Sequence, residues 1–312
     1  MLSNKERYIA FAAETPALPL SFHPWYLDTV CEGGIWDVAI VEKQARIVAV
    51  WPYFLKKKWG ISYIAMPMLA KWMGPWLTPD LDKNPVDEKL ILEELVKKLP
   101  RIDFLTVDCH PDVDARPLQE KGFQHQQRIT YRIPLDDPGK VMEGIQPDAR
   151  RNLKRAEKVL TVSEENSLEI FCTINDKTYE RQGISNPVPK AFLLRHLENL
   201  HQHQAVRLTS AVDTSGRVHS VLALTWDHRA AYYHLSGNDF SAGNAGGPRL
   251  LVRDAFIFAL EKLEVDVLDF EGSMIENVAR VWQSFGAEPV PYYRVQYFRN
   301  RWMRMLYRIL RK

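Results

Sequence analysis

The chain has 312 residues, 46% of them hydrophobic and 26% charged, which is enough for two cores and excludes a disordered or fibrous protein. Its 41 basic and 39 acidic residues leave a net charge of +2, so it is no bulk polycation, and an anionic partner has to be met by a local patch; DNA is not expected. The three cysteines, Cys31, Cys109 and Cys172, are an odd number without a C-x-x-C pair, which argues against a disulfide framework and for a cytoplasmic setting.

The first half reads mainly as strands. Ile35 to Val41 and Ala45 to Phe54 are β-branched runs joined by Glu42-Lys43-Gln44, a hairpin pattern. Ile61 to Ala65 predicts a third strand. The apolar run from Ile61 to Ala70 is interrupted by Pro67 and falls short of the about 20 residues a bilayer span requires. No secretory signal is visible in the opening residues. Val86 to Leu99 has helical apolar spacing at Leu90, Leu92, Leu95 and Leu99, with acids early and lysines late. Phe104 to Val107 predicts a buried strand, Asp114 to Lys121 a short helix, and Phe123 to Ile133 a long strand.

Pro134-Leu135-Asp136-Asp137-Pro138-Gly139 has linker composition. We expect one domain over 1–135 and a second over 136–312. A helix with Pro147 in its first turn runs on to Lys158. Helices are predicted at Ser167 to Arg181 and Pro189 to His201. Val206 to Val212 and Val218 to Trp226 form a second hairpin, followed by a strand at Ala230 to Leu235. A glycine-rich loop, Ser241 to Pro248, opens a helix over Arg249 to Leu263. Strand Val265 to Phe270, helix Ile275 to Phe285, strand Val290 to Phe298 and helix Trp302 to Leu310 complete the chain.

The second half repeats the order of the first. Phe104-Leu105-Thr106-Val107-Asp108, a helix, Lys121-Gly122-Phe123 and Tyr131-Arg132-Ile133 correspond to Val267-Leu268-Asp269-Phe270-Glu271, a helix, Phe285-Gly286-Ala287 and Tyr293-Arg294-Val295. Repeats longer than about 100 residues indicate duplicated globular domains rather than a solenoid, whose period runs roughly 20–50. The cleft expected between two such domains is a common ligand site.

Hairpin, third strand, loop, helix, strand, helix, strand is the element order of the GNAT acyltransferase core. Two cores in tandem resemble the Fem-type aminoacyltransferases. The resemblance is carried by Arg150-Arg151-Asn152-Leu153-Lys154-Arg155-Ala156-Glu157-Lys158, Tyr179-Glu180-Arg181-Gln182-Gly183, Tyr233-His234-Leu235-Ser236-Gly237, Asp269-Phe270-Glu271-Gly272-Ser273 and Phe285-Gly286-Ala287-Glu288-Pro289. In the first half, Pro19 to Trp25 resembles the family's opening segment. The resemblance implies an α+β fold (three-layer α/β type) of two GNAT-like domains, each a mixed twisted sheet flanked by helices. It also implies transfer of an acyl, acetyl or aminoacyl group to an amine. The acceptor would be a small molecule or a cell-wall or glycan precursor. The donor would be an acyl-CoA such as acetyl-CoA, used as co-substrate rather than bound cofactor, or an aminoacyl-tRNA. The loop Gly243-Asn244-Ala245-Gly246-Gly247-Pro248-Arg249 departs from the phosphate loop of simple GNAT enzymes. Gly243, Asn244, Gly246, Gly247 and Arg249 are nonetheless candidates to cradle a pyrophosphate, with tight-turn formation as the alternative.

Glu271 stands at a strand's carboxyl end and is the first candidate for the base that deprotonates the amine, with Asp269 beside it. Tyr233 and His234 end the third strand and are candidates for proton transfer, with aromatic packing in the sheet as the alternative. Arg150, Arg151 and Lys154 lie on a basic helical stripe that, with Tyr179 and Arg181, would bind an anionic acceptor, with a solvated surface balanced by Glu143, Asp148 or Glu157 as the alternative. No G-x-S-x-G elbow occurs, which fits direct attack without a covalent enzyme intermediate. His196, His201 and His203 lack the partners of a metal set, and no metal is expected. The tail carries Arg301, Arg304, Arg308 and Arg311 on one face and Trp302, Met305, Leu306 and Ile309 on another. It either lies on an anionic membrane, placing the protein peripherally on the inner face, or packs its apolar side on its own domain. A non-catalytic module binding an anionic ligand and a peripheral scaffold are the competing readings.

Overall fold

The computed structural model describes residues 2–79, 84–137, 139, 143–165, 167–243, 245–272, 274 and 276–310, with 309 and 310 by backbone alone. In chain order the elements are α1 (Asn4–Ala13), α2 (Pro24–Val30), β1 (Ile35–Lys43), β2 (Arg46–Lys58), β3 (Ile61–Ile64), β4 (Trp76–Leu77), α3 (Pro85–Lys98), β5 (Phe104–Asp108) and β6 (Gln124–Pro134). There follow α4 (Pro147–Ala156), β7 (Leu160–Glu164), α5 (Leu168–Glu180), α6 (Lys190–Gln202), β8 (Val206–Asp213), β9 (Val218–Trp226) and β10 (Ala230–Asn238). The rest are α7 (Gly247–Phe258), β11 (Val267–Asp269), α8 (Glu276–Ser284), β12 (Glu288–Phe298) and α9 (Arg301–Leu310). The predicted strands and helices all form among these, except that Arg116–Lys121 is a 3-10 turn. Helices α1 and α2 and strands β4 and β7 were not predicted. The pattern of α1 is hard to read because only Tyr8 and Ala12 are buried.

Contacts divide the chain into two compact units, Met1–Arg128 with Pro291–Lys312, and Ile129–Val290. Each is a mixed sheet with flanking helices. In the first unit β1, β2 and β3 are antiparallel neighbours, β3 runs parallel to β5, and β5 is antiparallel to β12. In the second, β7, β8, β9 and β10 are antiparallel neighbours, β10 runs parallel to β11, and β11 is antiparallel to β6. The topology is the same, with β7 added at one edge. The closing strand of each sequence half contributes to the other unit's sheet: β6 from Ile129 onward, β12 from Pro291 onward.

The exchange has a chemical signature. Arg294 on β12 forms a two-pronged ion pair with buried Asp108 on β5, Nε–Oδ1 2.6 Å and Nη2–Oδ2 2.7 Å. In the other unit Arg132 on β6 pairs with fully buried Asp269 on β11 at 2.7 Å. The Tyr-Arg repeat in the sequence therefore marks the residue that crosses to pair with the other half's strand-end aspartate.

The two cores are separate. Trp51, Ile64, Leu92, Leu95, Leu105 and Val107 centre the first. Leu222, Leu251, Phe256, Leu268, Trp282 and Phe285 centre the second. Helix α7 buries Leu250, Leu251, Val252, Ala255 and Phe256, which explains its apolar-rich sequence around Arg249, Arg253 and Asp254.

Candidate active site

The second unit's sheet opens where β10 and β11 part. Their parallel ladder ends at Tyr232↔Asp269, and β10 continues to Asn238 beside β9 alone. At the same place β10 bulges: Tyr233 faces Leu224 and Leu235 faces Ala223, so His234 is the extra residue. A bulge re-aims the side chain it carries and frees backbone from the ladder.

His234 spans the opening. Its Nδ1 lies 3.0 Å from Glu271 Oε2, and its Nε2 lies 3.0 Å from His196 Nε2 on α6. The His234 side chain is 3% exposed and that of Glu271 17%. Burial, and secondly the neighbouring His234, hold the His196 pKa well below 6.5, so this ring is neutral at ordinary pH. His234 thus bridges Glu271 and His196 through its two ring nitrogens, and in the His196–His234 bond one ring donates and the other accepts according to their tautomers.

Glu271 is itself held in an uncommon backbone conformation, φ +53°, with Gly272 at +80° after it. A glutamate there costs of order 1–3 kcal/mol, and such strain clusters at functional sites. Asp269 keeps it in place: Oδ1 accepts the Glu271 N–H at 2.7 Å and the Thr130 hydroxyl at 2.5 Å, while Oδ2 accepts from Arg132. The strand pattern predicted Asp269 and Glu271 on one face. In the structure the strand ends at Asp269, which is wholly buried beneath Glu271. Tyr233 is in the core, ring centroids 5.0 Å from Trp282 and 5.8 Å from Phe270, and burial raises its pKa. Of the four proposed proton-handling residues, the structure brings Glu271 and His234 together, puts Asp269 behind them and turns Tyr233 into packing.

A close approach of α5 shapes the strand end. A Cβ on Gly237 would meet the Asn175 backbone nitrogen at 2.5 Å, and Asn175 Nδ2 donates to the Ser236 carbonyl at 2.7 Å. Tyr179 is half-buried on the same helix, its pKa raised mainly by burial. Arg181 stacks on Phe240 with its guanidinium carbon 3.9 Å from the ring centre. Lys177 and Arg217 converge on the buried Asp239 carboxylate at 2.7 and 3.1 Å. Burial alone would raise the Asp239 pKa, yet hydrogen bonds from Lys177, Ser241 and Arg217 hold it well below the ordinary value.

In the glycine-rich loop, Gly246 caps α7 in the left-handed region, φ +90°. A Cβ on Gly247 would meet Ser220 Oγ at 2.4 Å, so packing alone demands glycine there. Pro248 brings no N–H, and the Arg249 N–H is spent on the Gly246 carbonyl at 3.1 Å. The first turn therefore offers fewer amides than the phosphate reading assumed. Gly243 has open space around it, and Asn244 lies outside the described residues. Ala245 lines a recess of about 310 Å³ with Lys158, Asp213, Thr214 and His219.

The basic helix α4 buries Ala149, Leu153 and Ala156 and turns its cations outward. Arg150 bonds the Ile145 and Glu143 carbonyls, both at 2.7 Å, and Arg151 pairs with Asp148. These two are engaged by their own helix start, Arg151 by the Asp148 of the alternative reading and Arg150 by backbone carbonyls that no charge pattern shows. Lys154 is exposed. His201 and His203 are exposed, unlike buried His196, and among the described residues no group of three His, Cys, Asp or Glu could hold a metal ion. The cysteines are buried; burial pushes Cys31 up to about 12 and Cys172 up to about 11, far from thiolate reactivity.

The corresponding place in the first unit is differently filled. Its parallel ladder ends at Ile64↔Leu105, Met66 Sδ accepts the Asp108 N–H, and His110 meets the edge of the Trp72 ring. His110 stands two residues after Asp108, as Glu271 does after Asp269.

Sequence reasoning missed His196 as a partner of His234. The two are 38 residues apart, and only the packing of α6 on the bulge joins them. It also missed Thr130 and Arg132, whose one signal was the Tyr-Arg repeat.

Comparison with known proteins agrees with this topology. No curated protein matches the chain. A crystal structure of FemX is similar over 100% of this chain and 99% of its own, with 14% identity and a TM-score of 0.73. The structure of L-PGS from Bacillus licheniformis covers 91% and 96%, with 14% identity and a TM-score of 0.52. A tandem GNAT protein from the clavulanic acid biosynthesis pathway covers 93% and 92%, with 14% identity and a TM-score of 0.50. At such identity these likenesses establish the shared fold. The acetyltransferase (GNAT) domain model matches residues 147–308, which hold the opened sheet, the bulge and Glu271, and the chain belongs to that family.

Proposed function

We propose that the second unit transfers an acyl or aminoacyl group to an amine, with Glu271 as the base. The observation that carries this reading is the Glu271–His234–His196 row across the opening of the sheet. His234 holds Oε2, and Oε1 is left to meet the incoming amine. The amine nitrogen attacks the donor carbonyl, Glu271 takes its proton, the new C–N bond forms, and the thioester C–S or ester C–O bond breaks. The proton then passes to the leaving thiol or hydroxyl. Backbone N–H groups at the His234 bulge are suited to the oxyanion that develops. His196 acts as a positioning residue through His234. Buried cysteines of raised pKa support direct attack over a covalent intermediate.

A donor thioester such as acetyl-CoA would place its pyrophosphate at Gly246, Gly247 and Arg249, and an aminoacyl-tRNA donor would not depend on that turn. The sparse amides of the turn favour the second class. Lys154, Tyr179 and Arg181 are the remaining candidates for the acceptor's anionic groups, as in a cell-wall or glycan precursor. The same sparse turn supports a second reading, a module that binds such a ligand without catalysis.

A thermal-shift panel of acetyl-CoA, longer acyl-CoAs and aminoacyl-tRNA identifies the donor, since a ligand of the native state raises Tm. With that donor, Glu271→Gln is expected to lower kcat roughly 10²–10⁴-fold while donor affinity is kept. A rate within twofold of wild type would remove Glu271 from the base role.

A further inference from the structure

The first unit carries a surface whose chemistry the acyl-transfer reading does not use. Strands β2 and β3 are joined by the two-residue turn Trp59-Gly60, both at positive φ, +53° and +76°. Such turns select asparagine or glycine. A tryptophan at positive φ is strained, and this one is 77% exposed, so it buries little of its ring in return. Lys56, Lys57 and Lys58 lead into it, and Lys58 Nζ lies 4.5 Å from the Trp59 ring centre.

Helix α9 docks beside this hairpin through Tyr307, whose ring lies 5.6 Å from Phe104 and 5.4 Å from Phe298. Tyr63 of β3 stacks on the same Phe104 at 4.7 Å. Lys56 pairs in register with Tyr63, and Lys58 with Ile61, so both lysines share the sheet face on which α9 rests. The docking uses Tyr307 and leaves Trp302 66% and Met305 52% exposed. Trp302 and Met305 are thus turned away from their own unit, while Met303 and Leu306 are half-buried. Residues 55–64, 100–104 and 298–310, which meet here, contain eight Lys or Arg and one Asp, in a chain of net charge +2. That aspartate, Asp103, is taken by Arg299 at 2.9 Å. Among the described residues Lys56, Lys57, Lys58, Arg301, Arg304 and Arg308 reach no carboxylate.

Exposed tryptophans at the rim of a dense cationic patch fit the headgroup region of an anionic bilayer, where indoles settle at the interface and lysine and arginine meet phosphates. We propose that the Trp59 hairpin and helix α9 together form a two-point contact with an anionic membrane surface. No described helix is long and apolar enough to cross a bilayer, so the contact is peripheral.

Flotation of the full chain with vesicles of phosphatidylcholine alone, or with about one third phosphatidylglycerol, tests this. Binding is expected only to the anionic vesicles and weakens as salt is raised. Arg304→Glu with Arg308→Glu should lower partitioning at least about twenty-fivefold, taking roughly fivefold for each of the two positive charges removed. Trp59→Asn relieves the turn, so it should keep or raise Tm while weakening vesicle binding, and Trp302→Ser should add to that loss. Equal binding to both vesicle types, or unchanged binding by the tryptophan variants, would overturn the proposal. So would vesicle-independent binding of tRNA that the arginine variant abolishes, or a wild-type dimer that Trp302→Ser dissociates.

Discussion

Asp269 is a wholly buried carboxylate whose one charged partner among the described residues of the second unit is Arg132, at 2.7 Å. Replacing Arg132 by Gln leaves that charge uncompensated. Removing one partner of a buried pair costs about 3–5 kcal/mol, whereas an exposed pair is worth under about 1. The Arg132 side chain is 13% exposed, which puts the expected loss near the lower end, about 3 kcal/mol. Asp269→Asn should cost a similar amount, because its new N–H groups would face the Arg132 donor. The double variant restores complementarity: the carboxamide oxygen introduced by Asp269→Asn still accepts from Thr130 and from the Glu271 N–H, and its nitrogen can donate to the side-chain carbonyl introduced by Arg132→Gln. A coupling of about 2 kcal/mol is therefore expected from the cycle. Urea denaturation of the four proteins measures it, with each compact unit allowed its own transition. Single losses below about 1 kcal/mol, or strict additivity, would refute the view of Asp269 as a charged support beneath Glu271.

The folded chain keeps His196 neutral, while the unfolded chain protonates it near 6.5. The stability tied to this group is fully present above that pH and is lost as pH falls from 6.5 toward the depressed folded value. His196→Gln keeps a hydrogen-bonding partner for His234 and abolishes the titration. Its Tm should fall less steeply than that of wild type below pH 6.5, and parallel slopes would count against the assignment. Gly247→Ala brings a Cβ to 2.4 Å from Ser220 Oγ, which is held at 2.6 Å by Asn238, so about 1–3 kcal/mol should be lost. Adding Ser220→Ala should return much of it in thermal melts; an unperturbed single variant would show that the contact does not demand the glycine, and a loss that Ser220→Ala fails to return would place the demand in the turn.

Much of this protein is legible in its sequence because the signals are local. The two hairpins, the strand-helix-strand ends and the repeated order follow from β-branched runs, turn residues and helical spacing, each set within a few residues. Glu271 also stands out locally, as an acid closing a buried strand before Gly272. The stripe Arg150, Arg151 and Lys154 is equally visible, but its use is not: whether a guanidinium meets a ligand or its own helix start depends on loop carbonyls that no periodicity encodes.

Tertiary structure alone decided three things. It assigned β6 and β12 to opposite units, because strand pairing is set by which edges meet, and Arg132 and Arg294 find their aspartates only after that exchange. It inserted one residue into β10 at His234, beside Glu271, and strict alternation along a strand has no means to foresee an inserted residue; Tyr233 keeps the alternation, on the core face with Ala231. It set His196 behind His234, a meeting across 38 residues that rests on helix packing. Local patterning determined which groups are available; long-range pairing determined which of them touch.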